Sequence, residues 1–435
     1  MFCNQCEQAK DCVGCSGSIG KCGKDEDIES LQQIILYGLK GMAAYAHHAR
    51  RLGQTDELVS AFMEEALFAT MTNVNFDLGS LFGVAMELGM KNLRVMEMLD
   101  KGHLDTFGKP SPTKVKEGTQ AGPGILVTGH DMVDLWDVLK QLQGTNVKVY
   151  THGEMLPAHM YPKLREHPNL VGHYGGAWQK QRAEWTDFPG AILATTNCIM
   201  PPAAAYAGRM FSTRVTAASG GNLIKGTDFS PVIQAAMKAA PCQQNITAES
   251  LVGFHRTVLL DAAPTIVDAV KAGKISRFFV IGGCDGHEVG RNYFSDYAQA
   301  TPADSFILTL GCGKFRIRDY DYGTHLGLPR LMDMGQCNDA YGAIMVAVAL
   351  AKAFNCSVND LPLSLVISWF EQKAVAVLLT LLALDVKGII IGPNPPAFVT
   401  PNVFKNLQEK FDLRLMGTDA KADLHRAMLP VVAQG

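Results

Sequence analysis

The sequence has almost no excess charge, no basic leader and no long apolar run, and each absence closes off a class of function. Lys and Arg number 39 against 42 Asp and Glu, a formal net charge of −3. No basic field is therefore on offer to nucleic acid or to an anionic membrane surface, and neither is an expected partner. The chain opens Met-Phe-Cys, with no basic segment leading into an apolar stretch, so a soluble, cytoplasmic protein without an export signal is expected. The longest apolar stretch, AVAVLLTLLAL between Lys373 and Asp385, falls short of the roughly 18 residues of a bilayer span and suits a buried helix.

Cysteine is what the chain does have, and it is unevenly placed. Five of the eleven cysteines fall in the opening MFCNQCEQAKDCVGCSGSIGKC. In a reducing compartment such thiols serve metals or catalysis before disulfides, and an odd count leaves one out of any full pairing. CNQC and CVGC alone would make a small zinc site, so the opening by itself leaves zinc and iron both open.

A chain of 435 residues exceeds the size of a single core, and two or three domains are expected. From Asp27 to Leu99 apolar residues recur every three or four positions, as at Leu31, Ile34, Ile35, Gly38 and Met42, which predicts a small helical bundle. TFGKPSPTKVKEGTQAGPG then has the composition of a linker. Beyond it, short apolar runs alternate with helical segments: GILVTG, VKVYT and AILATT, then RFFVIGG, SFILTLG, RLMDMG, GIIIGP and LRLMG. The expected fold is multidomain α/β, an N-terminal helical bundle followed by two open, mostly parallel Rossmann-like α/β domains. With PCQQNITAES as the second boundary, the domains are 1–108, 109–245 and 246–435.

Ligands of open parallel sheets sit beyond the carboxyl ends of the strands, where helix N-termini and backbone groups converge. GILVTG is followed by His130, VKVYT by His152 and Glu154, and AILATT by Asn197 and Cys198. RFFVIGG is followed by Cys284, SFILTLG by Cys312, and RLMDMG by Gln336 and Cys337. A single buried cysteine is ordinarily a small inert hydrophobe, and Cys242 and Cys356, which lack this placement, keep that reading. Packing gives a thiol no preference for one end of a strand, so four thiols, an imidazole and a carboxylate at one edge point to a metal centre. That mixture suits iron bridged by both sulfide and oxygen. His152 and His159 flank Glu154 as positioning residues, and the other histidines look like surface or packing residues.

The blocks CNQCEQ, GCSGSIGKCGK, LVTGHDM, YTHGEMLPAH, TTNCI, GGCDGHEVGRNYF, TLGCGKF, GQCNDAYGAI and SWFEQKAVAVLLTLLAL occur in this order. Together they closely resemble the hybrid cluster protein family, also called prismane or hydroxylamine reductase, over almost the whole chain. The resemblance implies that His130, Glu154, Cys198, Cys284, Cys312, Cys337 and Glu371 bind a hybrid [4Fe–2S–2O] cluster at the interface of the α/β domains, with Cys284 the candidate persulfide. It also implies a cation near the cluster from Lys373, and an auxiliary [4Fe–4S] cluster on Cys3, Cys6, Cys15 and Cys22. The last gap of that quartet is one residue longer than the four-iron type leads one to expect. Cys12 is then spare, or stands in for Cys15.

Some seventy helical residues precede the linker, where fuller members of the family carry a second three-helix bundle; the chain resembles a shorter class without it. The activity implied is reduction of a small N–O compound, hydroxylamine to ammonia and water or nitric oxide to nitrous oxide. An external reductase or ferredoxin would supply electrons through the N-terminal cluster. Glu154 and Glu371 are the candidate proton donors, and His130, Cys284 and Lys373 complete the catalytic set. Nitric oxide sensing or trans-nitrosylation through Cys284 uses the same residues, and a carbon monoxide dehydrogenase-like activity ranks below both.

Overall fold

The computed structural model describes residues 1–11 and 13–428. Cys12, left without a role above, lies outside them. The chain divides into two compact units, one made of Met1–Gly102 with the segment from Asn355 onward, the other of His103–Phe354.

In the first unit the predicted bundle forms from helices Glu26–Arg51, Glu57–Ala69 and the long helix that starts at Leu78. Asp25 and Asp56 cap the first two, their carboxylates accepting the N–H groups of Ile28 and Leu58. The apolar run AVAVLLTLLAL is part of helix Gln372–Ala383, which packs along Glu26–Arg51 with Val375, Ala376 and Leu379 buried. Glycines set how close it comes. A Cβ at Gly41 would lie 2.5 Å from the Gln372 carbonyl oxygen, and one at Gly89 2.2 Å from that of Leu379. The run's one hydroxyl, Thr380, donates to the Gly89 carbonyl at 3.0 Å, so the buried helix carries no unsatisfied polar group there. Strands Leu363–Ser368, Ile390–Gly392 and Arg414–Leu415 pair in parallel in the same unit.

The second unit holds an eight-stranded sheet. Its order runs Asn222–Ile224, Met210–Thr213, Ala191–Ala194, Gly124–Thr128, Lys148–His152, Leu170–His173, Thr113–Thr119 and Asn245–Val252. All neighbours are parallel except the last pair. The central strands are buried throughout, which is why they read as unbroken apolar runs. Strands Phe278–Gly283, Phe306–Thr309 and Leu331–Asp333 form a second parallel set.

Two stretches differ from expectation. The segments with linker composition, around residues 113–119 and 245–252, are strands paired antiparallel at the edge of the large sheet. They look like linkers because their side chains are largely exposed and polar, as an edge strand requires. The second difference is hydropathy: Cys337–Phe354 is long and apolar enough to cross a membrane by length and composition, which was not expected of any stretch. Half of it is buried, and its helical part, Ala340–Phe354, packs on helices Arg256–Asp261 and Ala263–Lys271.

Candidate metal centre

Each predicted strand end delivers its side chain from a turn whose geometry the local sequence dictates. The strand Gly124–Thr128 runs into Gly129, whose φ of +107° only glycine adopts easily, and a Cβ there would strike the Thr195 hydroxyl at 2.4 Å. His130 follows, buried, with its backbone N–H donating to Thr196 Oγ1 at 2.9 Å and its Nδ1 hydrogen-bonded to the same hydroxyl at 2.8 Å. Its Nε2 faces Glu154 Oε2 at 3.6 Å. Glu154 lies in the 3-10 turn Gly153–Met160 after strand Lys148–His152 and is itself 3% exposed.

Cys337 comes to the same place from the second set of strands. Its backbone N–H donates to Glu154 Oε2 at 2.9 Å. Donor atoms of His130, Glu154 and Cys337 all lie within 4.8 Å of one another. The side chain of Gln336 ties the three segments together, its Nε2 donating to the carbonyls of Glu154 at 2.7 Å and His130 at 3.2 Å. Beneath this turn Lys314 is fully buried, bonded to Asp333 at 2.6 Å and to the Gly335 carbonyl at 2.7 Å.

The other three thiols are neighbours as well. Cys312 is buried, and its hydrogen bond with Cys198, its burial and the nearby Glu154 and Cys284 hold its thiol well above the ordinary range. Cys198 sits at φ +67°, a left-handed conformation costing about 1 kcal/mol or more, with its carbonyl fixed by Gln181 Nε2 at 2.9 Å. Glycine turns carry the remaining two: Gly313 N–H donates to the Gly283 carbonyl at 2.7 Å, and a Cβ at Gly313 would lie 2.9 Å from the Gly282 carbonyl carbon. That contact sets the loop of Cys312 directly against the loop of Cys284.

These donors fit an iron–sulfur group. A crowded, buried thiol gives up its proton only to a strongly bound cation, and a thiol, imidazole and carboxylate set matches iron better than a hard cation. The metal-ligand role of Cys242 is not suggested by its surroundings. It packs among Tyr150, Trp185 and Phe188, where burial pushes its thiol up to about 11.

Glu371 and Lys373 belong to the other compact unit. Glu371 is the N-cap of helix Gln372–Ala383, just ahead of the first turn rather than within it, and Oε2 accepts the Lys373 N–H at 3.1 Å. Lys373 is buried, its ammonium 3.8 Å from Glu371 Oε1 and 6.0 Å from the Tyr45 ring centre, so it is no solvated helix residue.

In the opening segment Cys3 and Cys15 face each other through paired backbone hydrogen bonds of 3.1 and 2.8 Å, and a second pair joins Lys10 to Val13. Gly14 makes that pairing possible, since a Cβ there would lie 2.0 Å from the Cys3 carbonyl oxygen. Burial raises the Cys3 thiol pKa, while Lys24, hydrogen-bonded to it, pulls the other way. Lys24 is itself buried with Glu29 and Gln32. Cys6, Cys15 and Cys22 are partly exposed.

Three contributors to the centre were not read from the sequence: Gln336, named only as the residue before Cys337, and Thr196 and Lys314. Their partners, among them the His130 ring, the Asp333 carboxylate and backbone carbonyls, lie 19 to 206 residues away in the chain, so no spacing rule marks them. A polar residue beside a ligand at a strand end is the only signal they leave.

Open parallel strands that bring thiol, imidazole and carboxylate together at their carboxyl ends define an α/β metalloprotein with a mixed donor set. The model of the Prismane/CO dehydrogenase family matches residues 1–82 and 77–424, and the chain belongs to that family. A protein named hydroxylamine reductase from Moorella thermoacetica is 57% identical over 96% of this chain and 98% of its own length. Another of that name from Rhodospirillum rubrum is 55% identical over 89% of this chain but only 71% of its own length, so relatives occur both at this length and longer. Among solved structures, carbon monoxide dehydrogenase IV from Carboxydothermus hydrogenoformans superposes with a TM-score of 0.81 at 15% identity, covering 98% of this chain and 91% of that one. A Ni-free carbon monoxide dehydrogenase from Thermococcus sp. AM4 gives 0.81 at 17%, covering 98% and 89%. At such identities the likeness is one of fold.

Proposed function

We propose that this chain is an iron–sulfur oxidoreductase that reduces hydroxylamine to ammonia and water, and nitric oxide to nitrous oxide, at a hybrid cluster held by His130, Glu154, Cys198, Cys284, Cys312 and Cys337. The observation that carries the reading is the convergence of His130, Glu154 and Cys337 within 4.8 Å, with three further thiols on adjoining turns. The names of the relatives support the substrate class. The motif SWFEQK adds Glu371 as a seventh ligand and Lys373 as a neighbouring cation, by resemblance.

When bound, the cluster would supply stored electrons and a position on iron for the N–O compound. Hydroxylamine takes up two electrons and two protons, its N–O bond breaks, and ammonia and water leave. Two molecules of nitric oxide with the same two electrons and two protons give nitrous oxide and water. The chain's own residues set the geometry. In the tautomer with the proton on Nδ1, His130 donates to Thr196 and Nε2 keeps its lone pair for the metal. Cys337 N–H holds Glu154 Oε2, and Oε1 of the same carboxylate is the atom assigned to carry a proton to the departing oxygen. Gln336 keeps both carriers in register. Cys3, Cys6, Cys15 and Cys22 hold the relay cluster that accepts electrons from an external reductase or ferredoxin.

The test is iron and acid-labile sulfide analysis with EPR on anaerobically prepared protein, followed by steady-state turnover of the reduced form. Two iron–sulfur signals and catalytic ammonia formation are expected. Consumption of neither hydroxylamine nor nitric oxide beyond one equivalent would remove the reductase reading, and zinc in place of iron would remove the cofactor assignment.

A further inference from the structure

The His103–Phe354 unit contains a polar pocket of about 310 Å³, walled in part by residues that follow Cys284 and Cys312 and in part by residues hydrogen-bonded toward other candidate ligands. Gly286, two residues after Cys284, lies so close to the Cys312 carbonyl oxygen that a Cβ would be 2.4 Å from it. Phe315 donates its N–H to that same carbonyl at 3.1 Å. Lys180 precedes Gln181, the residue that fixes the Cys198 carbonyl. Glu184 accepts from His152 Nε2 at 2.9 Å, two residues from Glu154. The loops of Cys284 and Cys312 thus line the pocket, and Lys180 and Glu184 link it through Gln181 and His152 to the surroundings of Cys198 and Glu154.

The chemistry of the walls selects what would use it. Lys180 and Arg318 face Glu117, Glu184 and Asp319, while burial lowers the pKa of the His287 ring, so the charges nearly cancel with a slight negative excess. Arg318 pairs with Glu117 at 3.0 Å and lies over the Phe315 ring at 4.4 Å, while burial pushes the Glu184 carboxyl up but His152, the Gly176 N–H and Lys180 together hold it below the usual carboxylate range. A balanced, hydrogen-bonding surface attracts neither a net anion nor an apolar molecule; it suits a small neutral molecule that both donates and accepts. The volume is about ten times a water molecule's share of liquid volume, which admits such a molecule with its hydration. Another cavity, in the unit that contains Met1–Gly102, has about 70 Å³ and walls such as Leu31, Phe82 and Phe398, with almost nothing to offer a polar solute.

We infer that this pocket is the vestibule through which the small polar N–O substrate and its products exchange with solvent, an assignment that rests on the reductase reading. Gly176 provides a plug. A Cβ there would meet nothing nearer than Glu184 Oε1 at 3.6 Å, so the first carbon fits, and the two methyl groups of Gly176→Val add bulk against the pocket-lining side chains of Glu184, Lys180 and Phe315. Thr247→Trp, from the exposed edge strand, blocks the same space and serves as the second plug should the first fail to fold.

The experiment compares wild type with both plugs, each loaded with iron and matched by iron content and resting EPR spectrum. The kcat/KM for hydroxylamine should fall by about tenfold or more in the plugs, chiefly through KM. Removal of iron from the reduced protein by 2,2′-bipyridyl, read as the coloured ferrous complex, should slow in parallel. Unchanged kcat/KM and unchanged iron release in both plugs would overturn the vestibule while leaving the reductase reading intact. If wild type fails to turn over hydroxylamine, that reading falls, and the iron-release rates alone decide whether the pocket is the way in.

Discussion

Glu154 and Cys337 stand 183 residues apart in the chain, yet the backbone N–H of one donates to the carboxylate of the other at 2.9 Å. One carboxylate oxygen therefore faces both the amide of a candidate thiol ligand and the imidazole of His130. Glu154→Ala leaves that buried N–H unsatisfied, at a cost of about 1–3 kcal/mol, and removes an oxygen donor. Iron per chain and hydroxylamine turnover should both drop; a fully iron-loaded, fully active variant would rule out the ligand role.

Gln336 acts through others, since its amide binds the carbonyls of His130 and Glu154. Gln336→Ala is expected to cost about 10–100-fold in activity, the range found for residues that orient metal ligands. Gln336→Glu, which retains one acceptor but loses the donors, should do no better. Activity at the wild-type level in both would show that the ligands hold their places unaided.

Gly14→Ala forces a methyl group onto the Cys3 carbonyl. The N-terminal iron–sulfur EPR signal should disappear while the other remains. Turnover driven by a protein electron donor should be lost, and turnover with dithionite largely kept. Equal loss with both reductants would argue against a relay role for the opening segment.

Cys242→Ala tests the opposite assignment. Iron content should be unchanged, and unfolding in urea should show a loss of about 1 kcal/mol from the emptied space among Tyr150, Trp185 and Phe188.

His159 should make stability depend on pH. Burial lowers its pKa to about 4 from the ordinary 6.5, so the unfolded chain binds the extra proton between these values. Its contribution is complete above pH 6.5 and is lost as pH falls through the window toward 4, to a limit of about 3 kcal/mol. Burial also lowers the neighbouring His173, which adds in the same direction. Urea midpoints at pH 5 and 7 should differ in wild type and differ less in His159→Asn.

The strand ends that carry the candidate ligands were legible because parallel strands buried on both faces appear as continuous apolar runs. All six predicted runs that lead to His130, Glu154, Cys198, Cys284, Cys312 and Cys337 contain strands. Thr113–Thr119 and Asn245–Val252 were illegible for the converse reason: the outermost strand is exposed along nearly its whole length and its neighbour is only partly buried, so both have the composition of a linker. Glu371 showed itself only through resemblance: it too follows a strand, Leu363–Ser368, but that strand alternates buried and half-buried residues rather than forming one buried run, and Trp369 and Phe370 intervene before the N-cap. The supports of the site were hidden more deeply. Gln336 reaches a carbonyl 206 residues away, and no local pattern records a partner at that distance.

The antiparallel pairing of Thr113–Thr119 with Asn245–Val252 has a kinetic side. All eight strands of the large sheet come from one continuous stretch of chain, and its first and last strands clasp each other at the edge. The clasp joins residues such as Thr113 and Val252, so it forms only after the intervening strands have shortened the effective loop. Once formed, it joins the two ends of the stretch that presents His130, Glu154 and Cys198, and amide exchange across that stretch is the measurement that would read it as one cooperative unit.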